Sequence, residues 1–235
     1  MSSSAAQKIC VGFLAFALFG AAWTSFRYFL AELHSFQGKR YERFWESKGS
    51  IDSTAQWQRA RRHMRRALFY NTHNPDTLLR AARIHEWYSF TPAPEGGEVR
   101  KSLDRAAWYY DQAVSRRPAH GFSYSSRALL KARRWQVAEN LSSDLGAAAQ
   151  FSPWERVVLL QMAYATATAW PSLDDVGRQA FVGKLAAVAL EQPTMAGQLL
   201  RVADEYGRKR EICTTLLVNR EWPESLPGCM VVERE

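Results

Sequence analysis

The sequence lacks the short motifs on which most enzyme families depend. It contains no glycine-rich phosphate loop, no Gly-x-Ser-x-Gly turn and no dinucleotide-binding fingerprint. His85-Glu86 is not followed by the second histidine of a zinc-protease pair, and none of the five histidines has a partner at metal-ligand spacing. These absences predict a chain with no catalytic residue, no metal site and no cofactor.

The carboxylates give little support to a catalytic function. Asp174-Asp175 is an adjacent acidic pair, but it follows Pro171-Ser172 at what the pattern predicts to be a helix start, where acids favour the helix dipole. We therefore interpret the pair as helix capping. An enzyme acting on glycans would need folding to bring distant carboxylates, such as Glu139, Asp144 and Asp174, into one cleft.

Cysteine is also scarce, with three in 235 residues, and this excludes a small disulfide-rich fold. Cys10 lies in an apolar segment, whereas Cys213 and Cys229 are close enough in sequence to close one loop. In an oxidising compartment the pair would form a disulfide. Two unrelated buried thiols are the alternative interpretation.

Lysine is rare too, because only seven of the 31 cationic residues are lysine and the other 24 are arginine. Arginine is planar and forks onto carboxylates or phosphates. Together with the net charge of +8, this bias predicts attraction to polyanions or to anionic lipid headgroups. The hydrophobic fraction of 47% excludes a disordered chain.

One long apolar run stands at the N-terminus. Ile9–Phe26 holds 18 residues without a charge, close to the lower limit for a helix that crosses a bilayer. We predict a membrane anchor that contacts lipid, with a cleaved signal peptide ending near Gly20-Ala21-Ala22 as the alternative. Basic residues are more numerous after the run than before it, which by itself would keep the following body in the cytoplasm.

Beyond the anchor, the pattern predicts an all-α protein, because no stretch sustains the polar/apolar alternation of a strand. The predicted domains are an N-terminal membrane anchor (1–30), a polar connector (31–54), a helical domain (55–218) and an irregular C-terminal tail (219–235). Ser152-Pro153-Trp154-Glu155 predicts a helix start, and Trp170-Pro171 predicts the end of that helix.

Spaced prolines suggest a helical repeat. Pro118 and Pro153 lie 35 residues apart, one more than the tetratricopeptide period, and two sets of apolar positions before them correspond. The neighbouring proline intervals are irregular. We predict a degenerate tetratricopeptide-like antiparallel helical array after the transmembrane helix, with a nonrepetitive bundle as the alternative. The corresponding positions are Ala106, Tyr110 and Ala113 in the first set and Leu141, Leu145 and Ala148 in the second.

The most basic stretch, "QWQRARRHMRR", places five arginines in eight residues, and no acid lies between Asp52 and Asp76. On a helix, an apolar stripe falls within one arc, and Arg59, Arg62 and Arg66 gather on the opposite side. These arginines are candidates for binding an anionic partner. In the competing interpretation, acids of neighbouring helices neutralise them. The predicted stripe consists of Trp57, Ala60, Met64, Ala67 and Leu68, and the candidate neutralising acids are Asp76, Glu86, Asp104 and Asp111.

Several motifs after this stretch are shared, in the same order, with one bacterial family. They are "RRPAH" at 116–120, "ALLKA" at 128–132, "SPWERV" at 152–157, Trp170-Pro171 and Tyr206-Gly207-Arg208 before Ile212-Cys213. With the single apolar N-terminal segment, the chain resembles the VpsP family of polysaccharide-biosynthesis proteins. The family has glycine before its Pro-Trp-Glu and a tryptophan-rich stretch after its Arg-Pro, whereas this chain has Ser152 and "GFSY" there.

The resemblance implies a membrane-anchored accessory protein of exopolysaccharide machinery, with a tetratricopeptide-like body and no assigned catalytic residue. We expect a noncatalytic scaffold that docks other membrane or periplasmic subunits of a synthesis or export system. We place it in the bacterial inner membrane as a single-pass protein with a periplasmic helical domain, and expect no nucleic-acid partner. Anionic polymer or lipid binding through the arginine face is the alternative function.

Overall fold

The computed structural model describes residues 3–134 and 141–218, together with Cys229. The described residues form ten α-helices and two short 3₁₀-helices, and they contain no strand, so the all-α prediction is confirmed. The predicted C-terminal tail lies outside the described residues apart from Cys229. The α-helices are α1 (Ser3–Lys48), α2 (Thr54–Tyr70), α3 (Pro75–Glu86), α4 (Gly96–Arg116), α5 (Gly121–Arg133), α6 (Leu141–Phe151), α7 (Arg156–Ala169), α8 (Asp175–Glu191), α9 (Pro193–Glu205) and α10 (Lys209–Val218).

The chain divides into two compact units, unit 1 (residues 1–109) and unit 2 (residues 110–235), and the division falls inside α4. Each unit has a hydrophobic cluster of its own. The predicted domain bounds stay a prediction. Unit 1 builds its core partly from α1, which the sequence assigned to the anchor and the connector.

The first helix, α1, is 46 residues long, and every side chain from Lys8 to Phe29 is exposed. It is long and apolar enough to cross a membrane, and no other helix in the described ranges passes that test. Large apolar side chains such as Phe13 and Phe16 are about three-quarters exposed. The apolar half of α1 therefore has no protein partner among the described residues.

The segment predicted as a connector, 31–54, is helical as far as Lys48. The helix persists there because it packs against α2 and α3. Trp45 is completely buried, and the Arg80 guanidinium donates a hydrogen bond to Ser35 Oγ at 2.7 Å. A Cβ at Gly38 would stand 2.2 Å from Met64 Sδ, so a glycine here lets α1 and α2 approach closely.

In unit 1, α2 presents its apolar side to the core as the sequence predicts. Trp57, Ala60, Met64 and Ala67 are buried, and Leu68 is half-buried. The Trp57 indole donates a hydrogen bond to the Ile84 carbonyl at 2.8 Å, which joins α2 to α3. The predicted core-facing stripe is confirmed.

In unit 2, each helix from α5 onward packs against the next helix and against the next but one. This is the neighbour pattern of stacked helix pairs. Five of the six positions matched in the repeat search lie in this unit, and all five are buried, from Tyr110 to Ala148. The tetratricopeptide repeat itself stays a prediction.

Pro75 and Pro193, the prolines that set the irregular intervals on either side of Pro118 and Pro153, open helices and do not end them. Pro75 is the first residue of α3, and the Asn74 side chain caps it by accepting from the Asp76 and Thr77 N–H groups. Pro193 likewise opens α9.

The helix start predicted at Ser152 is wrong, because α7 begins at Arg156 after Glu155. The Ser152 N–H donates to the Ala148 carbonyl at 3.1 Å, so Ser152 completes α6 instead. The predicted end near Trp170-Pro171 is confirmed, since α7 stops at Ala169. Trp170 is buried as a packing anchor, whereas Trp154 is 46% exposed.

Candidate functional site

The basic face of α2, formed by Arg59, Arg62 and Arg66, lies opposite the buried stripe. All three side chains are exposed. Arg61 and Arg65 are exposed beside them, and the Arg61 guanidinium stacks over the Trp57 ring at 5.2 Å from its centroid. The structure therefore places these side chains where the helical projection of the sequence predicts them.

No ion pair between described residues includes a member of the basic face. The sequence offered four acids as counter-charges, and one of them, Asp111, pairs with Arg127 in unit 2 at 2.9 Å. The positive charges of α2 affect the protonation of a neighbouring histidine. Burial, the neighbouring His34 ring, and Arg66 and Arg62 together lower the pKa of His63. The basic face is thus exposed and has no ion pair to another described residue, as a binding site for an anionic partner requires.

Three contacts show that α2 runs antiparallel to α1. The Arg27 guanidinium donates to the Tyr70 carbonyl at 3.1 Å, His34 and His63 bring their Nδ1 atoms to 3.2 Å, and Trp45 Nε1 donates to Gln56 Oε1 at 3.4 Å. The C-terminal end of α2 is therefore level with the end of the apolar run of α1.

A cavity of about 300 Å³, the interfacial pocket, lies at this level. Thr24, Arg27 and Tyr28 of α1 line one side, and residues 70–73, from Tyr70 to His73, line the other. Beside it, Phe69 is 74% exposed at the end of α2. The pocket joins one arginine to several other polar side chains, and no acid is among the described residues that line it.

No protein-family model matches the chain, and no curated protein matches it either. The resemblance to the VpsP family therefore stays a prediction that rests on the short motifs between Arg116 and Cys213.

A buried carboxylate in unit 2 holds two cations. Asp144 is 1% exposed, and it accepts from Arg127 Nη2 at 2.6 Å and from Lys131 Nζ at 2.7 Å. Arg127 Nε also donates to Oδ2 at 3.1 Å, so both carboxylate oxygens accept hydrogen bonds. This arrangement joins α5 to α6 and leaves the carboxylate without a free face for substrate.

The predicted role of Asp174 as a helix cap is confirmed. Its side chain accepts from the Gly177 N–H at 2.8 Å at the start of α8 and also from the Ser142 hydroxyl. These hydrogen bonds, the Ser142 hydroxyl first, lower the pKa of Asp174. Glu139, the third carboxylate weighed for glycan chemistry, lies outside the described residues.

His85 and Ser102 form a pair that resembles a base beside a nucleophile. The Ser102 hydroxyl donates to the His85 carbonyl at 2.9 Å, and the ring Nδ1 of His85 lies 3.0 Å from the same hydroxyl oxygen. Burial, together with Arg61 and Arg105, lowers the pKa of His85 to about 4. A ring with so low a pKa is a weak base at neutral pH.

Metal ligands do not gather in the described part of the chain. It holds no group of three or more histidine, cysteine, aspartate or glutamate side chains placed to bind a metal ion. The closest approach of two such groups between helices α1 and α2 is the His34–His63 contact, which supplies only two nitrogens.

Cys213 and Cys229 are joined as a disulfide, with Cα atoms 5.7 Å apart, and both are buried in the cluster of unit 2. Cys10 is a free thiol on the exposed part of α1. Because the bridge closes a separation of 16 residues, it ties residue 229 to α10.

Sequence reasoning missed the interfacial pocket. The signal was weak, because Arg27 is the first charge after the apolar run, and residues 70–73 look like an ordinary polar turn. Only the antiparallel pairing of α1 with α2 brings residues separated by more than 40 positions together. The packing of α3 against α1 creates a half-buried ion cluster in which Glu42 contacts Arg80 and Arg83, and no sequence pattern predicts it.

Proposed function

We propose that the protein is a noncatalytic, single-pass scaffold of bacterial exopolysaccharide biosynthesis or export, with unit 2 docking partner subunits at the inner membrane. The observation that carries the proposal is the exposed apolar half of α1 on a chain whose described remainder is entirely helical. Such a helix requires a lipid or protein environment. The polysaccharide system enters through the resemblance to the VpsP family alone.

The docking surface that we favour lies at the junction of α6 and α7. Phe151, Trp154 and Val157 are all exposed there. Lys184 Nζ lies 3.9 Å from the centroid of the Trp154 ring, which orients the indole without covering it. Exposed tryptophan is the commonest type of energetic hot spot in protein interfaces.

A photocrosslinking amino acid at Trp154, in the full-length chain in native membranes, should capture a subunit of a polysaccharide synthesis or export system. The matched control position is Glu191, which is exposed and polar at the end of α8. We expect about tenfold more adduct from position 154, because hot spots concentrate the binding energy. Mass spectrometry of the adduct identifies the partner.

Equal adducts from positions 154 and 191, or capture only of proteins unrelated to polysaccharide machinery, would contradict this docking surface. The periplasmic placement is supported by the disulfide, since such bonds persist in oxidising compartments. A reporter fused after Glu235 that is active only in the cytoplasm would contradict that placement.

A second candidate function is binding of an anionic polymer or anionic lipid through Arg59, Arg62 and Arg66. It is favoured by the lack of ion pairs to the basic face in the described ranges. Like charges one turn apart on α2 repel by a few tenths of a kcal/mol, and an anionic partner would relieve that repulsion.

Replacing all three with glutamine should weaken binding to polygalacturonate, or to nanodiscs that contain phosphatidylglycerol, by about 100-fold at low salt. Each arginine near an anionic surface contributes about 1 kcal/mol, and salt screens the attraction. The matched control replaces three exposed arginines elsewhere with glutamine, so that the net charge is the same: Arg116, Arg201 and Arg210. Equal binding by the two variants would eliminate this function.

A further inference from the structure

The interfacial pocket lies where the apolar run of α1 ends. Thr24 is inside the run, Arg27 is the first charge after it, and both line the pocket. If α1 crosses a bilayer, the pocket opens into the headgroup layer, which is roughly 5–8 Å thick on each side of the hydrocarbon. The pocket is therefore at the depth of lipid phosphates.

The lining groups are hydrogen-bond donors suited to a phosphate. The Arg27 guanidinium has five N–H groups and gives one to the Tyr70 carbonyl, so others can point at an anion. Tyr28 on one wall and His73 on the other carry further groups that can donate hydrogen bonds. The acid one turn beyond Tyr28, Glu32, accepts a hydrogen bond from Asn74 Nδ2 at 3.2 Å and does not line the pocket.

The end of α2 independently indicates a bilayer surface at this level. Phe69 is 74% exposed and stands on the same side of the helix as Arg62 and Arg66, at i+7 and i+3 from them. Counting from Tyr70 at 1.5 Å per residue, Arg66 lies about 6 Å and Arg62 about 12 Å farther from the apolar run. An aromatic ring at the membrane boundary with cations farther from the hydrocarbon is the arrangement seen where a protein meets the headgroup layer.

We propose that the interfacial pocket binds the phosphate of an anionic phospholipid, with the Arg27 guanidinium as the principal ligand, Tyr28 and His73 as further donors, and Phe69 inserted beside the acyl chains. Anionic lipid is preferred over zwitterionic lipid because Arg27 in the pocket and the arginines of α2 are positively charged. No acid is among the described residues that line the pocket. The proposal rests on membrane anchoring by α1, and it does not depend on the docking surface at Trp154.

The test uses the full-length protein in phosphatidylcholine nanodiscs with a small fraction of photoreactive phosphatidylglycerol or photoreactive phosphatidylcholine. We expect phosphatidylglycerol to be captured on peptides that contain residues 24–28 and 70–73. Arg27→Gln should lower that capture about tenfold, since it removes a charge-assisted contact. Arg27→Lys should retain most of it, and Arg43→Gln, at an exposed arginine farther along α1, should leave it unchanged.

Equal capture by the wild type and Arg27→Gln, or equal capture of the two lipids by the wild type, would overturn the proposal. Loss of capture in the presence of excess inorganic phosphate would also overturn it, because the pocket would then be a site for soluble phosphate. Hydrogen exchange of α2 that matches the wild type shows that the Arg27→Gln variant is folded. Carbonate extraction separates the two failures: a chain washed off the membrane has no anchor, whereas a resistant chain without capture has an anchor and no lipid site.

Discussion

Replacing Asp144 with asparagine is expected to lower the free energy of unfolding of unit 2 by about 3 kcal/mol, because it leaves the partly buried Lys131 without its carboxylate and Arg127 with only the exposed Asp111 as counter-charge. Asp144 is 1% exposed and contacts Arg127 and Lys131, whose side chains are 17% and 22% exposed. Water can therefore replace only part of the lost interaction. Hydrogen exchange of α5 and α6 in the full-length protein measures the change.

The matched control for this variant is Asp111→Asn. Asp111 also pairs with Arg127, at 2.9 Å, but its side chain is 60% exposed. An exposed pair contributes at most about 1 kcal/mol, so the control should retain nearly all of the stability. Equal losses in the two variants would contradict the importance that we assign to burial of Asp144.

Acidification from pH 7 to pH 5 is expected to destabilise unit 1 by about 2 kcal/mol through His85 alone. Its pKa is about 4 in the folded chain, chiefly because of burial, against an ordinary value of 6.5. The unfolded chain therefore binds the proton more readily. The full stability is present above pH 6.5 and is lost progressively as the pH falls towards 4.

The variant His85→Gln should remove this contribution, although its stability at pH 7 will be lower because the contact with Ser102 changes. Burial also lowers the pKa of His63, so the variant should keep a smaller acid sensitivity from that residue. Hydrogen exchange of α3 at pH values from 7 to 5 measures the slope, after correction for the intrinsic rate. A wild-type slope in His85→Gln would refute the assignment.

Local patterns predicted local structure well in this chain. The stripe from Trp57 to Ala67 could be predicted because helical periodicity depends only on neighbouring residues. Ser152-Pro153 shows where such reasoning fails. Its N-cap pattern is well formed, but Ser152 lies against Gly121, where a Cβ would come within 2.5 Å of the serine Cβ. Tertiary packing overrode the local preference.

Only part of the candidate site could be predicted from the sequence. Periodicity placed Arg59, Arg62 and Arg66 on one side of a helix, but it could not say whether acids from other helices reach them. That answer requires the positions of side chains far apart in sequence. The same holds for Arg27 and Tyr70, which are 43 residues apart and meet because α1 and α2 pack against each other in antiparallel orientation.

The sequence by itself determined the helical class, the apolar N-terminal run and the division of α2 into an apolar and a cationic side, since these follow from composition and from a period of 3.6 residues. The tertiary structure alone decided that α1 continues to Trp45 and beyond, that the basic face has no ion pair within the described residues, and that a pocket lies level with the end of the apolar run. The physical reason is that each of these depends on the register between two helices. That register is set by side-chain packing over long sequence separations and not by the preference of any single segment.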